Sequence, residues 1–443
     1  MKILLENFFK LNELNTSVKT EVIAGATTFM TMAYIIFVNP SMISKTGMDF
    51  GSAMVATCIS AGFATIMMGL YVNYPIALAP GMGQNAFFTY TVCLTMGIPW
   101  RVALGCVFVE GVIFILLTFT QFRQMLITAI PSSIRYGIAC GIGLLIALIG
   151  LIDAGIIVGH PATLVTLGNV SSPTALIALF GLVMSTVLIV KKVNGALLWG
   201  ILLTALAAMP FGIVKYQGII SAPPSLAPTF LQMDLSKVFD ITMIPVIFVF
   251  LFMGVFDTVG TLAGVGELGG FMKDGKLPRS GKALFTDAVG TCVGAACGTP
   301  TVTCYIESAS GITAGGRSGL ASVITGLLLL GTVFFSPLVK MIGGGFSTPQ
   351  GALLHPVTAP ALIIVGCMIM GTVVKINWED FSEAIPAFLT IIIMPLTFSI
   401  ANGIAIGFTS YALIKLFTGR AREVSPLIYF LAVLFVLKFI YLK

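Results

Sequence analysis

Charge is what this chain has least of. Asp, Glu, Lys and Arg make up 9% of its 443 residues, where soluble chains carry about 25%. So few charges do not coat a water-facing surface. Soluble enzymes, nucleic-acid binders and disordered scaffolds are excluded together. With 57% of residues in the AVILMFWYC set and a mean hydropathy of +1.05, most of the surface faces lipid. The reading is an all-α polytopic membrane protein. Histidine is scarce as well: His160 and His355 fall on outer loops or their margins and read as solvated. The eight cysteines are scattered through apolar segments without a CxxC, as small buried hydrophobes rather than disulfides or metal ligands. No metal or cofactor is expected.

What is present is hydrophobic length. A helix needs about 20 apolar residues to cross the hydrocarbon core. Segments are predicted near 22–38, 52–72, 76–95, 100–121, 131–152, 174–190 and 195–214, then, after a polar stretch at 215–240, near 241–264, 284–298, 301–314, 319–339, 356–374, 384–400 and 402–418. That is seven plus seven, about 14 spans. An apolar tail, 425–441, is either interfacial or an extra span. With residues 1–21 as a cytoplasmic amphipathic N-terminus, sixteen Lys/Arg fall inside and five outside (Lys45, Arg101, Lys215, Lys237, Lys340); Lys438 and Lys443 stay unassigned. The net charge of +6 is therefore a topology signal. No cleavable signal peptide is visible, and the expected location is the cell (inner or plasma) membrane. An odd number of spans per half means that the second half enters from the opposite side, and if the halves are similar they form an inverted-topology repeat, a transporter plan.

Segments three and ten are predicted to be broken. The third reads Tyr74-Pro-Ile-Ala-Leu-Ala-Pro80-Gly-Met-Gly83-Gln84-Asn85, the tenth Gly298-Thr-Pro300-Thr-Val-Thr-Cys304-Tyr-Ile-Glu307-Ser308. Each has an apolar or β-branched half, a Pro/Gly/Thr break and a polar half-helix. Irregular backbone at membrane depth survives only against protein or a cavity, and paired interruptions in the two halves point to a substrate site.

Acids inside spans are costly. Asp257 lies mid-segment eight and Glu307 opens the helical part of segment ten; both are expected to accept N–H donors from a planar polar solute, with one titrating as the coupling site. The amides of Gln84 and Asn85 suit purine or pyrimidine edges. Gly83, Thr258 and Ser308 complete the predicted substrate-binding set. Glu110, in segment four, reads equally as a cavity residue or as a buried acid paired locally. Asp287 and Asp153 read as helix-end residues.

Enzyme motifs fail. Gly270-Phe-Met-Lys-Asp-Gly275-Lys276-Leu277 nearly matches a phosphate loop, but Leu277 replaces its Ser/Thr. Gly316-Arg-Ser318-Gly resembles an intramembrane serine protease locally, without a histidine in clear reach.

Three runs, 77–88, 256–262 (Phe-Asp-Thr-Val-Gly-Thr-Leu) and 301–311, together with 24–40 and 383–390, resemble the nucleobase–cation symporter-2 family, most closely its adenine/guanine/hypoxanthine permease branch. The resemblance covers nearly the whole chain. It implies a core domain of segments 1–4 and 8–11 (22–121 and 241–340) and a gate domain of segments 5–7 and 12–14 (122–214 and 341–418). An external linker (215–240) and a terminal basic loop with the apolar tail (419–443) complete the chain. It further implies substrate between segments three, eight and ten, an elevator-like cycle, roles in base binding or proton coupling for Asp257, Glu307 and Asn85, and a homodimer through the gate domain. Gly254 stands where many branch members have a second acid, and Gln84 where leucine is commoner. The expected function is purine-base import by proton symport, with purine base, proton and membrane lipid as partners. The alternatives are another nucleobase, an anion or sodium coupling on the same fold, and an intramembrane hydrolase around Ser318.

Overall fold

The computed structural model describes residues 2–119, 131–240, 242–272, 277–348 and 351–441. The predicted loop cations Arg123, Lys273 and Lys276, the middle of the phosphate-loop-like run, and Lys443 lie outside them.

Among the described residues, eight helices are long and apolar enough to cross a membrane, from Val18–Thr46 to Ile400–Phe417. Segments seven, twelve and thirteen are shorter apolar helices, Ala196–Ala208, Ala359–Lys375 and Phe381–Thr397. Segment nine is Ser280–Cys297. With the two broken segments, the fourteen predicted spans are all present. Local chemistry sets their ends: Ser17, Asp49, Ser172, Ser318, Asp380 and Ser399 each accept a backbone N–H at a helix start. Segment one is interrupted between Val18–Met32 and Ile35–Ile43, placing Tyr34 at the break.

Packing repeats across the two halves. Segment two lies along segment eleven as segment nine lies along segment four, and segments six and seven pair as thirteen and fourteen do. Segment five packs on its counterpart, segment twelve. A pseudo-two-fold axis relating segment n to n+7 accounts for all of these, so the 7+7 inverted repeat is visible in the contacts. At the five–twelve crossing, a Cβ at Gly366 would lie 2.4 Å from the Gly143 carbonyl oxygen, and one at Gly143 2.7 Å from that of Gly366. Backbone meets backbone there, which small residues permit between membrane helices. Gly366→Leu should therefore cost about 1–3 kcal/mol or more by overpacking. The check is the melting temperature of the detergent-purified variant, which should fall, while Gly371→Ala, at an open position, should melt like the parent.

In the broken segments, Pro75, Pro80 and Pro300 deny helix continuation, and Leu78–Pro80 (β1) pairs antiparallel with Val302–Cys304 (β4), register Leu78↔Cys304, Ala79↔Thr303 and Pro80↔Val302. Between them in sequence, Ile157–His160 (β2) and Leu164–Leu167 (β3) form an exposed hairpin after segment five, where a plain loop was expected. The linker 215–240 has no helix and straps over span ends: Leu231 donates to Ala296 O at 2.7 Å and Asp234 to Arg101 O at 2.9 Å. The tail is a helix, Pro426–Tyr441, with Ile428, Leu431 and Phe435 buried and Phe435 stacked on Phe408 of segment fourteen.

The N-terminus is a short helix, Lys2–Phe8, after which Phe9 and Leu11 bury against Leu320 of segment eleven. Nearby Glu21 is fully buried, and its carboxylate accepts from Arg317 N at 2.9 Å, Ser318 N at 3.2 Å and Ala321 N at 3.3 Å. A negative group there satisfies the free N–H groups of segment eleven and opposes its dipole. Glu21→Ala strands those donors, so thermal stability should drop by about 2–3 kcal/mol, more than for Glu21→Gln, which keeps an acceptor.

Candidate functional site

The site is built on the β1–β4 crossing. Gly81 N donates to Thr301 O and Tyr305 N to Ala77 O, both at 2.9 Å, which extends the ladder beyond the strands and satisfies backbone that lipid would leave unpaired. From this crossing two half-helices depart: Met82–Ala86, continuing to Thr95 in wider turns, and Ser308–Thr313. Gly81 makes room at the first departure, since a Cβ would lie 2.2 Å from Gln84 Oε1 and 2.4 Å from Thr303 Cγ2. Its missing side chain lets Gln84 fold back over the strand.

Gln84 and Asp257 meet there: Gln84 Nε2 and Thr303 Oγ1 each donate to Asp257 Oδ2 at 3.4 Å. Glu307 Oε1 accepts from Tyr34 OH at 2.7 Å, so the break in segment one delivers a phenol to the acid. Asp257 and Glu307 are within electrostatic range of each other, and among the described residues neither has an ion-pair partner. Asn85 is fully buried, its Nδ2 3.5 Å from Pro80 O and its Oδ1 without a partner; Gln84 Oε1 is unpartnered too. Gly83 packs closely on segment five, an added Cβ lying 2.9 Å from Ile142. The structure thus gathers Asp257, Glu307, Gln84, Asn85 and Gly83 at the segment three–eight–ten crossing.

The other two predicted residues point elsewhere. Ser308 Oγ accepts from Ala77 N at 2.9 Å and donates to Tyr305 O at 2.7 Å, bracing the crossing. Thr258 donates to Asp287 Oδ1 at 2.9 Å and is fully buried, whereas Asp257 is exposed. Tyr34 and Thr303 were missed by the sequence reading; the available signal was a phenol and a hydroxyl inside apolar spans, each of which needs a partner.

Asp257 opens to one side of the membrane only. Along segment eight the exposed stripe is Asp257, Gly260, Ala263, Gly264 and Glu267, mostly small or acidic, ending at Leu268. The same face before Asp257, at Val246, Phe250, Met253 and Gly254, is buried. The opposite side is closed by Lys45, whose Nζ lies 2.6 Å from Asp153 Oδ1 and 2.9 Å from Tyr90 OH, and by Thr91 Oγ1 donating to Phe398 O at 2.9 Å. A cavity of about 240 Å³ sits among Lys45, Tyr90, Asp153 and Phe398, and another of about 360 Å³ beside Asp49 and Lys340; neither touches Asp257 or Glu307.

Two expectations are corrected here. His355 is not solvated: it is 2% exposed, packed on Gly345, with Nδ1 3.8 Å from Asp153 Oδ2. Burial pushes its imidazole down to about 4, so it is neutral at pH 7 and leaves Lys45 to balance Asp153. Asp287 is not a helix-end residue, because segment nine begins at Ser280, earlier than predicted, and leaves it two turns deep and fully buried. Asp153 does end its helix, and His160 is exposed on its hairpin. Ser318 is fully buried and its oxygen accepts from Leu320 N as a helix cap, which gives it a structural role. Among the described residues no cluster of three or more His, Cys, Asp or Glu is placed to hold a metal.

An acid pair without an ion-pair partner among the described residues, beside two amides on crossed broken spans, is a candidate carrier site. Comparison with known proteins decides whose. Residues 19–406 match the model of the xanthine/uracil permeases, described as a permease family. This chain belongs to the nucleobase–cation symporter-2 family. Its relatives within that family include a guanine/hypoxanthine permease of Bacillus subtilis (46% identical, covering 99% of this chain and 100% of the relative). An adenine permease of Escherichia coli is 43% identical, over 99% of this chain and 96% of the relative. A Methanocaldococcus jannaschii relative named as a permease, without a stated substrate, is 53% identical over 99% of each chain. Among solved structures, the transmembrane domain of the cyanobacterial bicarbonate transporter BicA superimposes with a TM-score of 0.64, covering 86% of this chain and 96% of that one at 17% identity. SLC26A9 gives 0.62 over 94% of this chain and 69% of that one at 12% identity. These likenesses show the shared 7+7 fold. The symporter-2 permease is therefore an integral membrane protein of a transporter family, and the branch predicted from its motifs is that of its curated relatives.

Proposed function

We propose that this permease imports purine nucleobases (hypoxanthine, guanine or adenine) by proton symport in an elevator-like cycle. The observation that carries this reading is the grouping of Asp257, Glu307, Gln84 and Asn85 at one crossing without a cation. Carboxylates accept from ring and exocyclic N–H groups, the amides serve either edge, and a proton on Asp257 or Glu307 relieves the repulsion between the two acids. Gly83 lets a base approach the backbone, while Ser308 and Thr258 act from behind, through the crossing and through Asp287. The adenine and guanine/hypoxanthine permeases among the relatives support the substrate class. An anion as substrate, suggested by the solved neighbours, is disfavoured because both acids would repel it.

Segments 1–4 and 8–11 are the proposed moving core and 5–7 with 12–14 the gate, a division that the helix packing supports. The substrate then sits at their boundary, where Gly83 meets Ile142. The bias of Lys and Arg supports a cytoplasmic N-terminus in the cell membrane. On that orientation Asp257 faces the cytoplasm and the Lys45 group closes the outside. Dimerisation through the gate follows from the family resemblance. The test is uptake of radiolabelled hypoxanthine into permease-deficient cells, with adenine, guanine, xanthine and uracil as competitors and a protonophore. Uptake blocked by purines and collapsed by the protonophore is expected; uptake blocked by uracil alone, or indifferent to the protonophore, would overturn the substrate or the coupling ion respectively.

A further inference from the structure

Behind Asp257 lies a second acid that the proposed site does not use. Glu110, on segment four, is fully buried. Its Oε2 accepts from Thr301 Oγ1 at 3.3 Å, and its Oε1 has no partner. Thr301 and Thr303 stand two residues apart at β4, on one face of the strand. Thr303 reaches Asp257 and Thr301 reaches Glu110, so the two acids hang side by side from one strand. Segment eight packs over Glu110 at Gly254, where a Cβ would lie 3.0 Å from Glu110 Oε1.

Among the described residues, the titratable groups in range of Glu110 are an acid and a thiol. Segment nine contributes Asp287, which feels the charges of both Glu110 and Asp257, and Cys292. Segment eight carries Asp257 about one turn beyond Gly254, and β4 carries Cys304, in range of Asp257 and Asp287. Among the described residues no Lys, Arg or His pairs with Glu110. A charged carboxylate there would be buried, uncompensated and beside other acids, a cost of several kcal/mol. An acid serving only as interhelical glue has both oxygens engaged; here one is free and aimed at the space over Gly254.

We propose that Glu110 is a further proton-carrying carboxylate of the transport cycle, holding its proton one strand position behind Asp257 and exchanging it with that acid through the Thr301–Thr303 face. This rests on the proton-symport reading above. It assigns Asp257 to the base and to the handover, and Glu110 to storage. A proton on Glu110 lets Asp257 stay charged for the base's N–H; loss of that proton to the cytoplasm, after the base has left, resets the carrier.

The test uses the full-length permease in proteoliposomes. An inward gradient of about one pH unit supports about tenfold accumulation for one proton per base. In Glu110→Gln, nearly the same shape and unable to ionise, accumulation should fall toward onefold and the pH profile flatten, while hypoxanthine counterflow falls far less. In Glu110→Ala, adding Gly254→Asp should restore accumulation, since it returns a carboxylate to the same space. The infrared C=O stretch of a protonated carboxyl should be present in the parent and diminished in Glu110→Gln, a readout that needs no purine. Parental accumulation in Glu110→Gln, or an unchanged carboxyl band, would overturn the proposal. A parent that shows the Glu110 band but no proton-driven purine uptake would instead defeat the symport reading and limit Glu110 to a proton site.

Discussion

Asp257→Asn and Glu307→Gln should each lower purine uptake by about 10- to 100-fold, because each removes a charged acceptor worth about 1.5–3 kcal/mol against a bound N–H. The two should differ in kind. Asp257 is held only by long contacts from Gln84 and Thr303, so its charge is available and its loss should weaken affinity and coupling together. Glu307 is oriented by the 2.7 Å bond from Tyr34. Tyr34→Phe should therefore reproduce part of the Glu307→Gln defect, raising the apparent KM with a smaller effect on the maximal rate, because the acid survives but loses its aim. Initial-rate uptake at graded hypoxanthine concentrations separates these cases. Parental kinetics in both acid variants would remove the acids from the site.

Breaking the outer closure should have an effect as large. Lys45 and Asp153 are 16% and 10% exposed at the side chain, and removing one partner of such a pair leaves the other charge stranded, at about 3–5 kcal/mol. The pair joins segment one to segment five, and Tyr90, Thr91 and Phe398 lie beside it. In an elevator cycle these contacts belong to the state open toward the other side. Lys45→Met or Asp153→Asn should then shift the resting population by about 100-fold or more toward the outward-open form. The readout is labelling of Ile152→Cys by a membrane-impermeant thiol reagent in whole cells, in a background with the native cysteines replaced. Labelling should accelerate in either variant and return to the parental rate in the charge-swapped Lys45→Asp/Asp153→Lys double variant. Equal labelling in all four would mean the pair does not hold the closed state.

The plan of this molecule was legible because membrane spans announce themselves by length and their breaks by proline and glycine. Segments three and ten were visible from Pro80-Gly81 and Pro300 alone, and their equivalence followed from counting. Partnership was not legible. Nothing in the Phe-Met-Thr-Met-Ala-Tyr run says that Tyr34 sits at a helix break facing an acid 273 positions away. Lys45 and Asp153, 108 positions apart, read as an outer lysine and a helix-end acid, each ordinary by itself. Asp287 was misplaced because Lys282 looks like a loop residue, whereas the helix begins at Ser280 and carries that lysine on its first turn, against Tyr71. His355 looked solvated because its loop is polar, yet Gly345 leaves a place for the ring. Glu110 was even between two readings in the sequence, and the structure shows it fully buried and accepting from Thr301. Hydropathy gives depth in the membrane but not the azimuth of a side chain, and the site is a matter of azimuth.

The measurement that bears most directly on this account is a structure of the permease with hypoxanthine bound. The base should lie between segments three, eight and ten, with ring nitrogens within hydrogen-bond distance of the Asp257 and Glu307 carboxylates and an edge on the Gln84 or Asn85 amide. A base seated instead in the cavity beside Lys45 and Tyr90, out of reach of both acids, would contradict it.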